Sequence, residues 1–183
     1  NYPEGKTEYF ELPNNPNDPD AGTRPVAFTR NLYIDAEDFA LDPPPKYFRL
    51  KPDGEVRLMG AYIVKYKDVV RSQDGRIEKI ICTADLESGN GAPSDGRKVK
   101  GTIHWVSADD CFRADVLIFD RLFTIENTGA IPEGETFDDY LNRDSVTVLP
   151  CCVMEKALES AAPGERFQFV RLGYFTPDNK TAD

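Results

Sequence analysis

At 183 residues with 40% hydrophobic side chains, the chain can bury roughly 70% of its extended surface and support one large domain or two small ones without staples. Its 22 basic and 32 acidic residues leave a net charge of −10, which excludes an indiscriminate nucleic-acid binder. No run of 18 apolar residues spans a membrane, and Cys82, Cys111, Cys151 and Cys152 fall in no metal-ligand spacing. The cysteine count is even and leaves a disulfide framework open, but the expectation is reduced thiols in an intracellular protein.

The negative total hides a division. Residues 1–43 carry −6, 44–106 carry +4, 107–160 carry −8 and 161–183 carry 0. A basic middle between acidic flanks can hold a local binding surface, although scattered solvated charge would give the same counts.

In chain order, the first 25 residues contain NNPNDPDAGTRP and predict an extended or irregular lead. VAFTRNLYI (26–34) alternates and predicts a strand, and DAEDF follows as one short helical turn with Asp35 as cap and Phe39 as anchor. Pro43, Pro44 and Pro45 then force an extended approach to KYFRL. The spacing predicts a single strand over Glu55–Val70, a turn at SQDGR (72–76) and a partner strand IEKIICTA (77–84), Asp74-Gly75 being the hairpin signal. Leu86–Gly96 is polar and glycine-rich, as a surface loop requires.

RKVKGTIHWVS (97–107) alternates again. Ala114–Thr124 is apolar on both faces and predicts a central strand. A helical turn is expected near Phe137–Leu141, a strand at Ser145–Leu149, a short helix at Met154–Ala161 and one closing strand over Glu165–Pro177. At least seven strands and only brief helices predict an all-β chain. The charge shift near residue 105 is the best internal boundary, and two small antiparallel β-barrels of about 80 residues each fit the length. The expected division is a lead at 1–25, a first barrel segment at 26–104, a second at 105–176 with strand exchange between them left open, and a tail at 177–183.

Catalytic constellations are weak. The single histidine, His104, has no second imidazole for a metal and no serine in a nucleophile context, so a structural or surface role is expected. Asp109, Asp110, Asp115 and Asp120 read equally well as strand-edge ion pairs. GNGAPSDGRK lacks phosphate-loop spacing. Binding is better supplied: Lys46, Tyr47, Phe48, Arg49, Lys51 and Arg57 interleave cations with rings, and Arg166, Gln168 and Arg171 add donors on the last strand. Such a set can stack splayed-out bases and read their edges, and it also describes any half-buried strand.

The strings TRNLYIDAEDF, KYFRLKPDGEVRLMGAYIVK, DGRKVKGTIHWVSA, DRLFT and FQFVRLGYF, in this order and over 14–176, resemble the C-terminal anticodon-binding region of the glutaminyl-tRNA synthetase family, class I aminoacyl-tRNA synthetases. The resemblance implies two β-barrels, akin to ribosomal 5S RNA-binding barrels, that grip the anticodon loop of tRNA(Gln). Carried over residue by residue, it implies that Arg49 reads the third anticodon base, Arg57 the first, and Gln168 with Arg171 the central uridine. Lys46 stands where better-known members have glutamine and Met59 where they have arginine, which leaves the role of Lys46 open between phosphate and base.

HIGH-like and KMSKS-like motifs are absent from these residues, so ATP and Mg2+ are expected in a catalytic domain N-terminal to this piece, and the chain itself is expected to be an excised domain needing no cofactor. A cytoplasmic monomer partnering tRNA(Gln) and that catalytic domain, with no membrane or DNA partner, is the resulting picture. A glutamyl-tRNA synthetase and a non-catalytic RNA-binding barrel module are the alternatives.

Overall fold

The computed structural model describes residues 1–89, 93 and 95–178. Part of the 86–96 loop and most of the 177–183 tail lie outside the described residues. The chain divides into two units, Asn1–Phe112 with Glu155–Asp183, and Arg113–Met154.

In the first unit β1 (Glu8–Pro13) and β2 (Thr23–Phe28) form an antiparallel pair, with Phe10 opposite Val26. The extended lead is therefore paired from Glu8 onward, and the proline- and aspartate-rich segment is its connection, closed by the Asn14 N–H donating to the Gly22 carbonyl at 2.9 Å. β3 (Leu32–Tyr33) pairs antiparallel with β8 (Val106–Ser107). The short turn after it is present at Ala36–Asp38, but the Asp35 side chain makes no capping bond.

The largest sheet has the order β6-β5-β4-β7, from β4 (Glu55–Leu58), β5 (Ile63–Arg71), β6 (Ile77–Asp85) and β7 (Thr102–Ile103). The single strand expected over Glu55–Val70 is in fact a hairpin. Gly60, at φ 66°, lets the chain reverse, and a Cβ there would lie 2.0 Å from Leu12 Cδ2. The turn at Ser72–Arg76 matches the Asp-Gly signal, with the Gly75 N–H donating to the Ser72 carbonyl at 3.0 Å and Gly75 at φ 84°. β4 and β7 run parallel, pairing Arg57 with Thr102.

Phe28 is the hub of the core. Its ring meets Tyr2, Tyr62 and Trp105 edge-on at 5.0, 5.1 and 5.1 Å, each such contact worth about 0.5–1.5 kcal/mol beyond area burial. Leu50, Val56, Leu58, Ala61, Val64 and Ile103 fill the rest. Trp105 donates its Nε1–H to the Met59 carbonyl at 3.0 Å, so the buried indole leaves no polar atom unpaired.

β11 (Phe167–Phe169) and β12 (Gly173–Phe175) form a small antiparallel hairpin, so the one closing strand expected is two. The helix expected over Met154–Ala161 is a 3-10 turn at Lys156–Ser160. In the second unit, β9 (Cys111–Phe119) and β10 (Val146–Glu155), which overlap its boundaries, form a two-stranded sheet, and Phe137–Tyr140 makes the expected helical turn. β9 is not central: Phe119 is 71% exposed.

The all-β class stands, but the two β-barrels do not. Among the described residues there are four two-stranded sheets and one four-stranded sheet, none of which closes or curls strongly. Closure needs the outer strands of one sheet to pair, with consistent stagger. Here β6 and β7 stay unpaired to each other, and several strands are only two or three residues long. Turn residues every few positions end the strands before a continuous sheet can wrap.

Candidate nucleic-acid interface

The stretch PPPKYFRL makes no surface strand. Pro44 to Tyr47 form a turn in which the Tyr47 N–H donates to the Pro44 carbonyl at 3.3 Å and Lys46 takes φ 66°. Pro45 presets the second position of such a turn, and the third then needs positive φ. The same pattern recurs at Lys51 to Gly54, with Pro52 second and Asp53 at φ 57°. Between the two turns only Leu50 bridges, to Phe39.

Two turns in close succession leave an open cleft of about 430 Å³ whose lining includes Lys46, Phe48, Arg49, Lys51 and Lys100, with Glu55 and Asp53 as its acids. Glu55 is already taken by Arg97 at 3.0 Å. Phe48 is 54% exposed, with Lys100 Nζ 5.6 Å from its ring centre, so a flat apolar surface and a cation face the same opening. A cavity of similar size bounded by Thr128 and Phe137 contains Glu133 and Glu135 and no cation, and would repel phosphate.

Below the cleft lies a buried carboxylate. Asp38 is fully buried, and its Oδ1 forms an ion pair with Arg49 Nε at 2.9 Å and accepts from Arg171 Nη1 at 2.7 Å, while Oδ2 accepts from Arg171 Nη2 at 2.7 Å. Burial demands such pairing, since a lone carboxylate here would cost several kcal/mol. The hydrogen bonds to Asp38 push the already basic Arg171 guanidinium further up, with Asp35 at 3.6 Å adding to it. Both arginines remain about one-third exposed, at 32% and 34% of their side chains. A guanidinium has five N–H donors, so the bidentate pair at Arg171 leaves three for another acceptor.

The structure brings Lys46, Arg49 and Arg171, of the five residues singled out in the sequence, together, and relates Arg57 and Gln168 to them through strand pairing. Arg49 and Lys46 share the cleft. Arg57 is half-buried on β4, in register with Thr102, whose carbonyl accepts from Arg49 Nη1 at 3.5 Å. Arg171 joins Arg49 at Asp38, and Gln168 lies on the hairpin that Arg171 closes, exposed and paired across strands with Tyr174.

Three contributors escaped the sequence reading. Asp38 looked like one acid among many in DAEDF, and its burial is a tertiary fact. Lys100 was counted only as charge. Tyr174 is 80% exposed, and its period-two position opposite Gln168, away from the Phe169–Phe175 stack at 4.5 Å, was the available signal. His104 takes the structural role expected of it: its Nε2 lies 3.2 Å from Glu155, which Arg24 also holds at 2.5 and 2.9 Å. Burial alone would raise the Glu155 pKa, but the bonds from Arg24 and His104 outweigh it and hold the carboxylate at about 2. All four cysteines are free thiols, and burial pushes Cys82 up to about 11. Among the described residues no group of three His, Cys, Asp or Glu could hold a metal, and no helix is long and apolar enough to cross a membrane.

Two family models, both described as the anti-codon binding domain of class I tRNA synthetases (E and Q), match residues 1–85 and 102–178. The chain belongs to this family. The glutamine–tRNA ligase of Rhodopirellula baltica is 48% identical over 183 residues, covering 100% of this chain and 30% of the relative. Those of Ectopseudomonas mendocina, at 46% over 180 residues, and Clostridium perfringens, at 44% over 184, match across 98% and 100% of this chain. The chain spans about a third of the length of these relatives, 32% and 33% in the latter two. The family models group E with Q, whereas these relatives all carry the glutamine name, which favours the glutaminyl branch over the glutamyl one.

The family and the geometry meet at Asp38. The two arginines that the resemblance assigns to neighbouring bases come from opposite ends of the chain, and they share one carboxylate.

Proposed function

We propose that this chain is the anticodon-reading part of a glutamine–tRNA ligase, that its partner is the anticodon loop of tRNA(Gln), and that the remaining two-thirds of the ligase uses ATP and Mg2+ to attach glutamine in the cytoplasm. Both segments of the chain contribute: Lys46, Arg49 and Arg57 from 26–104, and Gln168 and Arg171 from 105–176. Arg49 reads the third base, Arg57 the first, and Gln168 with Arg171 the central one. The observation that carries this is the convergence of Arg49 and Arg171 on buried Asp38, each side chain about one-third exposed, with Arg49 lining a cleft that contains three lysines.

The chemistry suits a short splayed loop better than a duplex. Two arginines sharing one carboxylate keep a single net positive charge but several directional donors for base edges, and rings such as Phe48 and Tyr174 present faces for stacking. The net charge of −10 then disfavours sliding on other nucleic acids.

The test is binding of a tRNA(Gln) anticodon stem-loop against a noncognate one at several salt concentrations. Cognate preference is expected at every salt, and Arg49→Ala should reduce it by about 1–3 kcal/mol. Equal affinities for the two RNAs would overturn the proposal.

A further inference from the structure

We propose that Asp38 is a positioning residue that couples the reading of two adjacent anticodon bases, by fixing Arg49 and Arg171 through a single carboxylate. The inference rests on the anticodon-reading proposal and adds to it a residue that touches no RNA.

Three observations converge. The first is the sharing of Oδ1: Arg49 Nε at 2.9 Å and Arg171 Nη1 at 2.7 Å compete for the same oxygen, while Oδ2 serves Arg171 at 2.7 Å. The fork fixes the plane of the Arg171 guanidinium, and the ion pair holds Arg49 against the same oxygen.

The second is the backbone. Val170 and Arg171 are the central pair of the turn between β11 and β12, where the Leu172 N–H donates to the Phe169 carbonyl at 2.9 Å and Arg171 takes φ 68°. That position favours glycine or asparagine, and a long side chain persists there only when its surroundings hold it. The bidentate bond to Asp38 is such a hold.

The third is that Asp38 also grips the Arg49 segment through its main chain, its carbonyl accepting from the Leu50 N–H at 3.0 Å. The carboxylate and the carbonyl of one residue therefore set both the side chain at 49 and the backbone beside it.

Asp38→Asn preserves shape but turns one acceptor into a donor facing guanidinium N–H groups. In the full-length protein that carries this chain, measured with anticodon stem-loops substituted singly at the central and third bases, Asp38→Asn should lower discrimination about tenfold at both positions. Uniform weakening toward every RNA, or a loss at one position only, would overturn the inference.

A second variant guards against misfolding of Asp38→Asn. Arg171→Ala frees Oδ2, lets Arg49 turn to take both oxygens, and should lower discrimination at the third base as well as the central one; an unchanged third-base preference would overturn the coupling. If Arg49→Ala and Arg171→Ala both left all discrimination intact, the anticodon-reading proposal would itself fail. If they abolished discrimination while Asp38→Asn preserved it, the role of Asp38 alone would fail.

Discussion

Residues 1–112 with 155–183 hold every buried side chain found among the described residues, from Tyr2 to Ser107, whereas no residue from Arg113 to Met154 is buried. Both regions contain alternating apolar runs, and only one surrounds them with aromatic rings and a four-stranded sheet. All five candidate site residues stand in the first region. Leu117, Ile118 and Phe119 of β9, at 39, 40 and 71% exposure, belong to a sheet of two strands with no second layer inside its own unit.

The comparison breaks most directly in the core. Trp105→Ala, at a side chain 2% exposed with its N–H bonded to Met59, should cost about 3–5 kcal/mol in urea unfolding. Phe119→Ala, at 71% exposure, should stay within about 0.5 kcal/mol. Equal costs would erase the distinction between the regions.

Acid sharpens it next. Glu155 titrates near 2 instead of its usual 4.5, so its pairing with Arg24 and His104 contributes fully above pH 4.5 and is lost as pH falls toward 2. That contribution is on the order of 2–3 kcal/mol. Glu155→Gln should flatten the stability profile across this window, and an unchanged acid midpoint would show that this pairing does not stabilise the first region.

Gly101→Ala tests how tightly the core supports the cleft. A Cβ at 101 would lie 2.1 Å from the Phe48 carbonyl oxygen, backbone that must shift together with Arg49. A loss of about 1–3 kcal/mol in stability is expected, together with weaker binding of the anticodon stem-loop. The smallest effect is expected at Lys46: Lys46→Ala should reduce the salt dependence of RNA binding by about 0.7 in the log–log slope and leave base preference intact, if that lysine meets phosphate. A changed base preference would assign it to a base instead.

Much of the chain's organisation was legible locally. The all-β class, the Ser72–Arg76 turn and the helical turns near 36 and 137 follow from alternation, Asp-Gly and short polar caps acting over a few residues. The hairpins at 59–62 and 170–172 were missed because the reversal at Gly60 sits inside an unbroken alternation, and the one at Arg171 uses a residue that ordinarily avoids positive φ. Barrel closure was expected from chain length as well as from family resemblance, and the strand pairings do not supply it.

Alternation, turn residues and the family strings thus determined, from the sequence by itself, the class of fold, some of the places where the chain bends and the set of residues proposed to face RNA. Burial and long-range pairing decided the rest. Asp38 and Arg171 are 133 positions apart, and nothing in DAEDF announces a guanidinium from the far end of the chain. A buried charge must find its counter-charge wherever the fold brings one, and only the tertiary structure shows that the same counter-ion serves both arginines.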